Sequence, residues 1–468
     1  MKYKIAVLGA GPAGLWTALS LLEKFNDLEI TVIEKENCPG GITASFQYKG
    51  MIFDYGSHRL HPAADPRLLN KIRKMLGSDL LERPRNGRIW LEGRFIAFPL
   101  NPVNLLFNLP FSFSSGVMLD SLVSSFRRKK EGISFEDTLL SGLGKTISSR
   151  FYFPYARKLW GLPPSKLSPV QARKRIASGS IGKMIGKALS SISGSSRKTG
   201  IFYYPRQGFG QIAQVTAATV EKLGANIIFN AEVVSIIPPA EEQMGTVVIS
   251  DGRKINTDFI FSTIPVTEFA GLLDPAVPRL VSDAAKKLSF RSMIFCILQL
   301  PISQYTPFDA HYFPGPETCF SRLSEPKNYS LANTPSDRTG LCFEIPCGDE
   351  DELWELSNEE ILRMVLDDLK KTDLPVPEVK DFTVRRKKNV YPVYDQSFSS
   401  HLDIIERHLR TFSRMVSLGR QGLFVHDNTH HTIDMGIAAV DCLSPALKWD
   451  ADRWALHREK FNSHIVVD

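Results

Sequence analysis

Cysteine is scarce in this sequence and never paired. Its six residues, Cys38, Cys296, Cys319, Cys342, Cys347 and Cys442, are scattered along 468 positions without a CxxC pair or histidines at metal-ligand spacing. That excludes a disulfide scaffold or zinc module, and predicts free thiols and no bound metal. A secretory leader is also missing: Met1 to Lys4 run directly into a glycine-rich turn, without an apolar h-region or a small-residue cleavage site, so a cytoplasmic protein is expected. Long apolar runs are absent too. The most apolar stretch, residues 103–126, precedes Arg127-Arg128-Lys129-Lys130 and is interrupted by Asn104, Asn108, Pro110 and Asp120. Each of these would need a partner inside hydrocarbon, so cap helices are the expected reading and a peripheral, one-leaflet membrane contact is the second. Acid, finally, is absent from residues 171–200, which hold Arg173, Lys174, Arg175, Lys183, Lys187, Arg197 and Lys198. A solvated helix face, an anionic substrate and an acidic membrane surface all stay open as readings of that stretch. No aromatics interleave with these cations and no nucleic-acid module accompanies them, so no nucleic-acid partner is expected. Nothing in the sequence signals an oligomeric state.

What is present is an ordinary globular composition, 43% apolar and 23% charged with a net charge of +7, in a chain long enough for two domains with a ligand pocket between them. Residues 4–22, KIAVLGAGPAGLWTALSLL, read as a buried strand, a turn at Gly9, Gly11 and Gly14 that includes Pro12 and Ala13, and an apolar-periodic helix. Gly9 permits the tight turn, Gly11 lets the backbone approach a pyrophosphate, and Gly14 lets the helix pack on the strand. The helix N-terminus then faces the phosphates. A second strand, EITVIEK, leads to Glu34 and Lys35; Glu34 lies twenty residues after Gly14, placed to accept hydrogen bonds from an adenosine ribose. Together these elements specify a dinucleotide site.

A second glycine turn follows at once in ENCPGGITAS, where Gly40, Gly41, Ile42 and Thr43 stand. This sequence resembles the glutathione-reductase-type FAD fold, in the branch that holds amine oxidases, protoporphyrinogen oxidases, carotenoid desaturases and UDP-galactopyranose mutases. The resemblance implies FAD as cofactor and an α/β architecture: a Rossmann FAD domain with a helical insert and an antiparallel-sheet substrate domain. It assigns residues 1–65, 200–265 and 405–468 to a discontinuous FAD domain, 66–199 to the helical insert and 266–404 to the substrate domain. Two distant segments complete the cofactor site by the same comparison. In residues 203–236 a strand implicates Val233 at the adenine. In residues 417–443, SLGRQGLFVHDNTHHTIDMGIAAVDCL, a helix beginning near Asp434 would aim the amides around Met435 and Gly436 at the flavin, where a positive dipole end stabilises negative charge.

The segment FDYGSHRLHP places Gly56, Ser57, His58 and His61 after a strand leading toward the flavin. Its Gly-x-His-x-x-His spacing resembles the mutase motif in which a histidine lies against the flavin ring, which makes His58 the candidate ring contact, able to hydrogen-bond or shuttle a proton. A backbone-satisfied loop histidine is the bland alternative, and Arg59 is expected to pair with Asp54 or Asp65. Tyr155, Lys158 and Trp160 match a tyrosine, lysine and tryptophan pattern of the same relatives, which implies Tyr155 and Trp160 as a substrate wall and Arg175 as a phosphate-binding arginine. Arg420, after Gly419, would face an anionic group near the flavin. The mutase tyrosines that follow this arginine correspond here to Phe424 and His426, and the mutase aspartate to Asn428. The flavin-contacting lysine of amine oxidases has no counterpart. The leading expectation is therefore an FAD-dependent oxidoreductase taking a hydride from a small, anionic organic substrate. A non-redox, UDP-galactopyranose mutase-like flavoenzyme is the alternative, and a flavin-binding protein without turnover ranks last.

Overall fold

The computed structural model describes residues 2–98, 108–124, 132–175 and 200–466. At its centre lies a five-stranded parallel sheet in the spatial order Met415–Ser417, Phe259–Ser262, Tyr3–Leu8, Leu28–Ile33, Asn226–Ile228. The first strand is covered on both faces, which is why its sequence is a continuous apolar run. Its side chains alternate: Ile5 and Val7 pack under the helices Pro12–Lys24, Gln211–Lys222 and Thr429–Asp441, while Ala6 and Leu8 join the core beneath an antiparallel sheet of Val233–Ile237, Gly245–Ile249 and Lys254–Thr257.

A second body is built on seven strands in the order Asp381–Pro392, Phe290–Leu300, Thr339–Cys347, Arg322–Ser324, Ala310–Tyr312, Gly87–Leu91, Arg94–Phe98. All neighbours are antiparallel except Ala310–Tyr312 against Gly87–Leu91. The helix Asn358–Leu369, opened by a Ser357/Glu360 capping box, covers one face through Ile361, Val365 and Leu369.

The helical insert supplies the helices Phe111–Ser124, Phe135–Ile147, Phe153–Trp160 and Pro169–Arg175. It also contributes strands that the helical reading passed over: Gly87–Leu91 and Arg94–Phe98 extend the large sheet, and Leu80–Pro84 pairs with Ile201–Pro205. These runs are five residues each, too short for their alternation to stand out from the helical periodicity around them. Most of the basic stretch at 171–200 lies outside the described residues. All six cysteines are free thiols, and among the described residues no helix is long and apolar enough to cross a membrane.

Candidate functional site

A cavity of about 680 Å³ opens between the parallel sheet and the seven-stranded sheet, in the size range of ligand sites. One end is built by the two glycine turns. Gly9 has φ +98°, and its amide donates to the Ile33 oxygen at 2.8 Å. The Gly40 amide donates to the Ala10 oxygen at 2.9 Å, and the Thr43 hydroxyl to the Gly40 oxygen at 2.8 Å, so the second turn is pinned onto the first. A Cβ added to Gly11 would meet nothing within 4 Å, and one added to Gly41 only the Gly11 Cα at 3.8 Å. The two glycines thus form an open cradle. Gly11 provides no side-chain cap to the helix that follows, leaving its first-turn amides for a ligand, with Pro12 and Ala13 in the cavity wall. Gly14 does not line the cavity; a Cβ there would stand 2.0 Å from the Gly9 oxygen, so its glycine serves helix-to-strand packing.

Beside this cradle Glu34 accepts the Ala10 and Glu36 amides at 2.7 and 2.9 Å, and burial pushes its carboxyl above the usual range. The Ala231 amide donates to the Glu34 oxygen at 2.9 Å and brings Val233 to the wall near Lys35. A cradle with unclaimed amides, a buried carboxylate and an apolar strand edge fits the diphosphate, ribose and adenine of FAD.

The other end carries His58, flanked by Ile42 and Ser57 in the wall. Its Nε2 lies 3.0 Å from the Ile42 oxygen and 2.9 Å from the Tyr55 oxygen, which makes that nitrogen the protonated one and leaves Nδ1 as the ring's acceptor. The ring stacks on Phe209 at 5.4 Å. Burial, helped by the charges of Arg322 and Arg420, lowers its pKa to about 4, so the ring is neutral at neutral pH. Gly56 sits behind this wall with φ +97°, where a Cβ would meet the Glu344 carboxylate at 3.0 Å. Arg59 pairs with neither expected partner. It reaches Asp309 at 3.2 Å and the hydroxyls of Tyr329 and Tyr312, while Asp54 accepts from Ser45, Tyr204 and the Phe209 amide, and Asp65 caps a helix.

Gly419, with φ +80°, and Arg420 line the cavity; Arg420 donates to the Val390 oxygen at 3.0 Å and lies over the Tyr391 ring at 5.0 Å. The helix after them starts earlier than the sequence reading placed it. It runs Thr429–Asp441 after Asn428, and Asn428, Thr429 and Thr432 face the cavity. The amides at its open end therefore belong to Thr429, His430 and His431. Asp434 and Met435 are mid-helix, and a Cβ on Gly436 would stand 2.6 Å from the Ala13 oxygen, so that glycine seats one helix against another. Of the two residues standing for the mutase tyrosines, Phe424 is buried in the core under the antiparallel sheet, and His426 lines the cavity.

The expected substrate wall is placed elsewhere. Trp160, 4% exposed, packs edge-on to Phe135 in the insert's core and stands behind His426, their rings 6.2 Å apart. Tyr155 packs against the same core, since the helix Phe153–Trp160 turns its apolar side inward. Lys158 is drawn to the oxygens of Phe313, Thr318 and Phe320, and burial lowers its pKa to about 8. Arg175 ends the helix Pro169–Arg175, and its side chain lies outside the described residues.

The wall is filled instead by His61, from the motif that holds His58, and by residues that no sequence motif marks. Arg322, Tyr312, Tyr391, Arg85 and His61 all face the cavity, the first three from strands of the large sheet. Asp427, at the same rim, has a fully buried carboxylate: His464 Nδ1 lies 2.9 Å away, His431 Nδ1 3.6 Å and Lys174 Nζ 3.9 Å. Burial works to raise its pKa, but these partners hold it below the usual carboxylate value. From there a row of imidazoles, His464, His431, His430 and His61, leads to the cavity wall at His61, with ring separations of 4.0, 4.1 and 6.5 Å.

A family model described as flavin containing amine oxidoreductase matches residues 12–434. The fold overlays a reduced UDP-galactopyranose mutase with a TM-score of 0.81 at 20% identity, covering 100% of both chains. It also overlays a protein assigned as a protoporphyrinogen oxidase from Exiguobacterium sp. 255-15 with a TM-score of 0.72 at 17% identity, covering 98% of this chain and 99% of the other. Likeness at these identities is one of fold. In sequence, prolycopene isomerase 2 of an Oncidium hybrid cultivar, a chloroplast protein, is 26% identical over 298 residues, 56% of this chain and 48% of the relative. The chain spans about half the length of the curated relatives it matches.

Proposed function

The chain belongs to the flavin-containing amine oxidoreductase family, flavoenzymes with FAD as cofactor, and we propose that it takes a hydride and a proton from an anionic organic substrate. The observation that carries this reading is the cationic wall beyond His58, where Arg322, Arg420 and Arg85 face one cavity with the aromatic rings of Tyr312 and Tyr391. With FAD bound, the cofactor supplies the two-electron acceptor. The Gly11 and Gly41 cradle would hold its diphosphate, Glu34 its ribose and Val233 its adenine. The open helix end at Thr429 would place a partial positive charge where negative charge develops. His58, tied by two carbonyls and neutral, acts by packing and by Nδ1 as an acceptor rather than as a shuttle that titrates near neutrality. Guanidinium groups orient the substrate's anionic part.

A mutase-type, redox-neutral use of the flavin is the second reading. The full-length overlay with the mutase favours it, as do the names of the isomerase relatives. The burial of Phe424 weighs against a UDP-sugar, because the position that would offer a hydroxyl to a diphosphate is turned into the core. The two are separated by recording the visible spectrum of the purified flavoprotein during anaerobic titration with candidate hydride donors and with UDP-sugars. Bleaching by an anionic donor, with reoxidation by an added acceptor, is the expected result. Tight UDP-sugar binding with turnover that consumes no acceptor would establish the mutase reading instead.

A further inference from the structure

Residues 463–466 follow the helix Ala451–Asn462 without regular structure and cross the rim of the cavity, where Val466 joins its wall. Polar contacts hold them there from two sides. His464 Nδ1 lies 2.9 Å from a carboxylate oxygen of Asp427, itself a wall residue, and the His464 ring stacks on that of His431 at 4.0 Å. The Val466 amide donates to the Lys174 oxygen at 2.9 Å, and the Lys174 ammonium donates to the Phe461 oxygen at the same distance. Lys174 belongs to the insert helix Pro169–Arg175, whereas Asp427 stands just before the helix Thr429–Asp441. The segment therefore clasps the insert to the rim of the flavin site. Between its two anchors Ile465 is 38% exposed.

We propose that residues 463–466 are a strap over the cavity, latched by His464 on Asp427, and that small molecules reach the flavin end by lifting it. The strap and its anchor differ in how firmly they are held. Among the described residues the strap pairs with no strand, and its latching imidazole keeps 18% of its surface in solvent. Segments held by a few polar contacts near solvent open at far lower free energy than a core does. The Asp427 carboxylate, by contrast, is fully buried at the start of a helix that packs on the helix Pro12–Lys24. When the strap lifts, that carboxylate loses a hydrogen-bond donor, which favours closure again. A fixed, buried acceptor beneath a lightly held segment can thus close repeatedly in the same register. The strap goes beyond the function proposed above and does not depend on it, since redox and redox-neutral uses of the flavin both need a ligand to enter and leave.

The test combines hydrogen exchange of the flavin-loaded protein with stopped-flow reduction of its flavin by dithionite. In wild type the Val466 amide should exchange at least about a hundredfold faster than the amides of the strand Tyr3–Leu8, which report global unfolding. His464→Ala, at a partly exposed position, should speed both Val466 exchange and flavin reduction by at least about tenfold, leaving the strand amides unchanged. His464→Asn places an amide nitrogen where Nδ1 stood and should restore both rates towards wild type. Because neither variant carries an imidazole, a difference between them cannot come from lost charge. Exchange of Val466 only as fast as the strand amides in wild type would overturn the proposal, showing a static wall. Faster Val466 exchange in His464→Ala without faster reduction would also overturn it, since the strap would then lie off the entry route.

Discussion

Arg322 and Glu344 stand directly opposite each other on neighbouring strands and form a two-pronged pair, Nε to Oε1 at 2.7 Å and Nη2 to Oε2 at 2.6 Å. The same Oε1 accepts the Ser57 amide at 2.9 Å, so one carboxylate from the large sheet both aims a cavity arginine and fixes the loop that carries His58. Glu344→Ala would leave Arg322 largely buried without its partner. A loss of about 3–5 kcal/mol is expected in urea unfolding, and a loss below ~1 kcal/mol would show that this carboxylate does not anchor Arg322 and the Ser57 loop.

The glycines of the first turn separate binding from folding. Gly11 has φ −72°, which alanine adopts readily, and open space beside it; Gly11→Ala should leave the apoprotein's stability within about 1 kcal/mol while weakening FAD at least about tenfold by filling the cradle. Gly14→Ala should instead cost more than ~3 kcal/mol, because its Cβ has no room against the Gly9 oxygen. Fluorescence titration of apoprotein with FAD, beside thermal melts, distinguishes the two.

His58→Ala is expected to retain FAD and to slow turnover by about tenfold, short of the ~10²–10⁴ that a proton-transfer residue contributes. With its pKa lowered to about 4, His58 should leave no inflection in the turnover profile between pH 6 and 8. An inflection near 6.5 that disappears in the variant would assign it the shuttle role after all.

Buried histidines make the fold sensitive to acid, His311 and His430 most of all. Burial lowers both His311 and His430 to about 3, reinforced by Arg88 for the first and by His431 and His61 for the second. Their folded values lie below that of the unfolded chain, so the unfolded state takes up protons first; stability is full above pH 6.5 and declines as pH falls toward 3. By pH 5 each should account for about 2 kcal/mol. Melting temperatures from pH 7.5 to 5 should fall, and less steeply in His311→Phe; an unchanged slope in that variant would refute the assignment.

What the sequence disclosed follows from how locally each feature is encoded. The first strand, its glycine turn, Glu34 and the Gly40-Gly41 turn lie within some forty consecutive residues, so spacing alone carried their geometry. The helix at Thr429 starts five residues before Asp434, where the family resemblance sets it, because a resemblance in motif does not fix a helix end to the residue. The resemblance puts Trp160 and Tyr155 at the cavity, whereas the amphipathic pattern of their own helix reads as core, and the core is where they pack. Arg322, Tyr312 and Tyr391 lie on strands separated by up to 79 positions; only sheet register brings them together, and no local pattern records it.

The order of the parallel sheet also bears on how the chain comes off the ribosome. Phe259, which lies beside Ile5 of the central strand Tyr3–Leu8, is synthesised 254 residues after it, and the edge strand Met415–Ser417 later still. Through most of translation the first strand therefore has an unsatisfied edge and an apolar face, a state prone to mispairing. The Gly41 turn of the nucleotide cradle is translated 388 residues before Thr429 (429 − 41), which lines the same cavity. A chain truncated before Thr429 would lack that wall of the cavity.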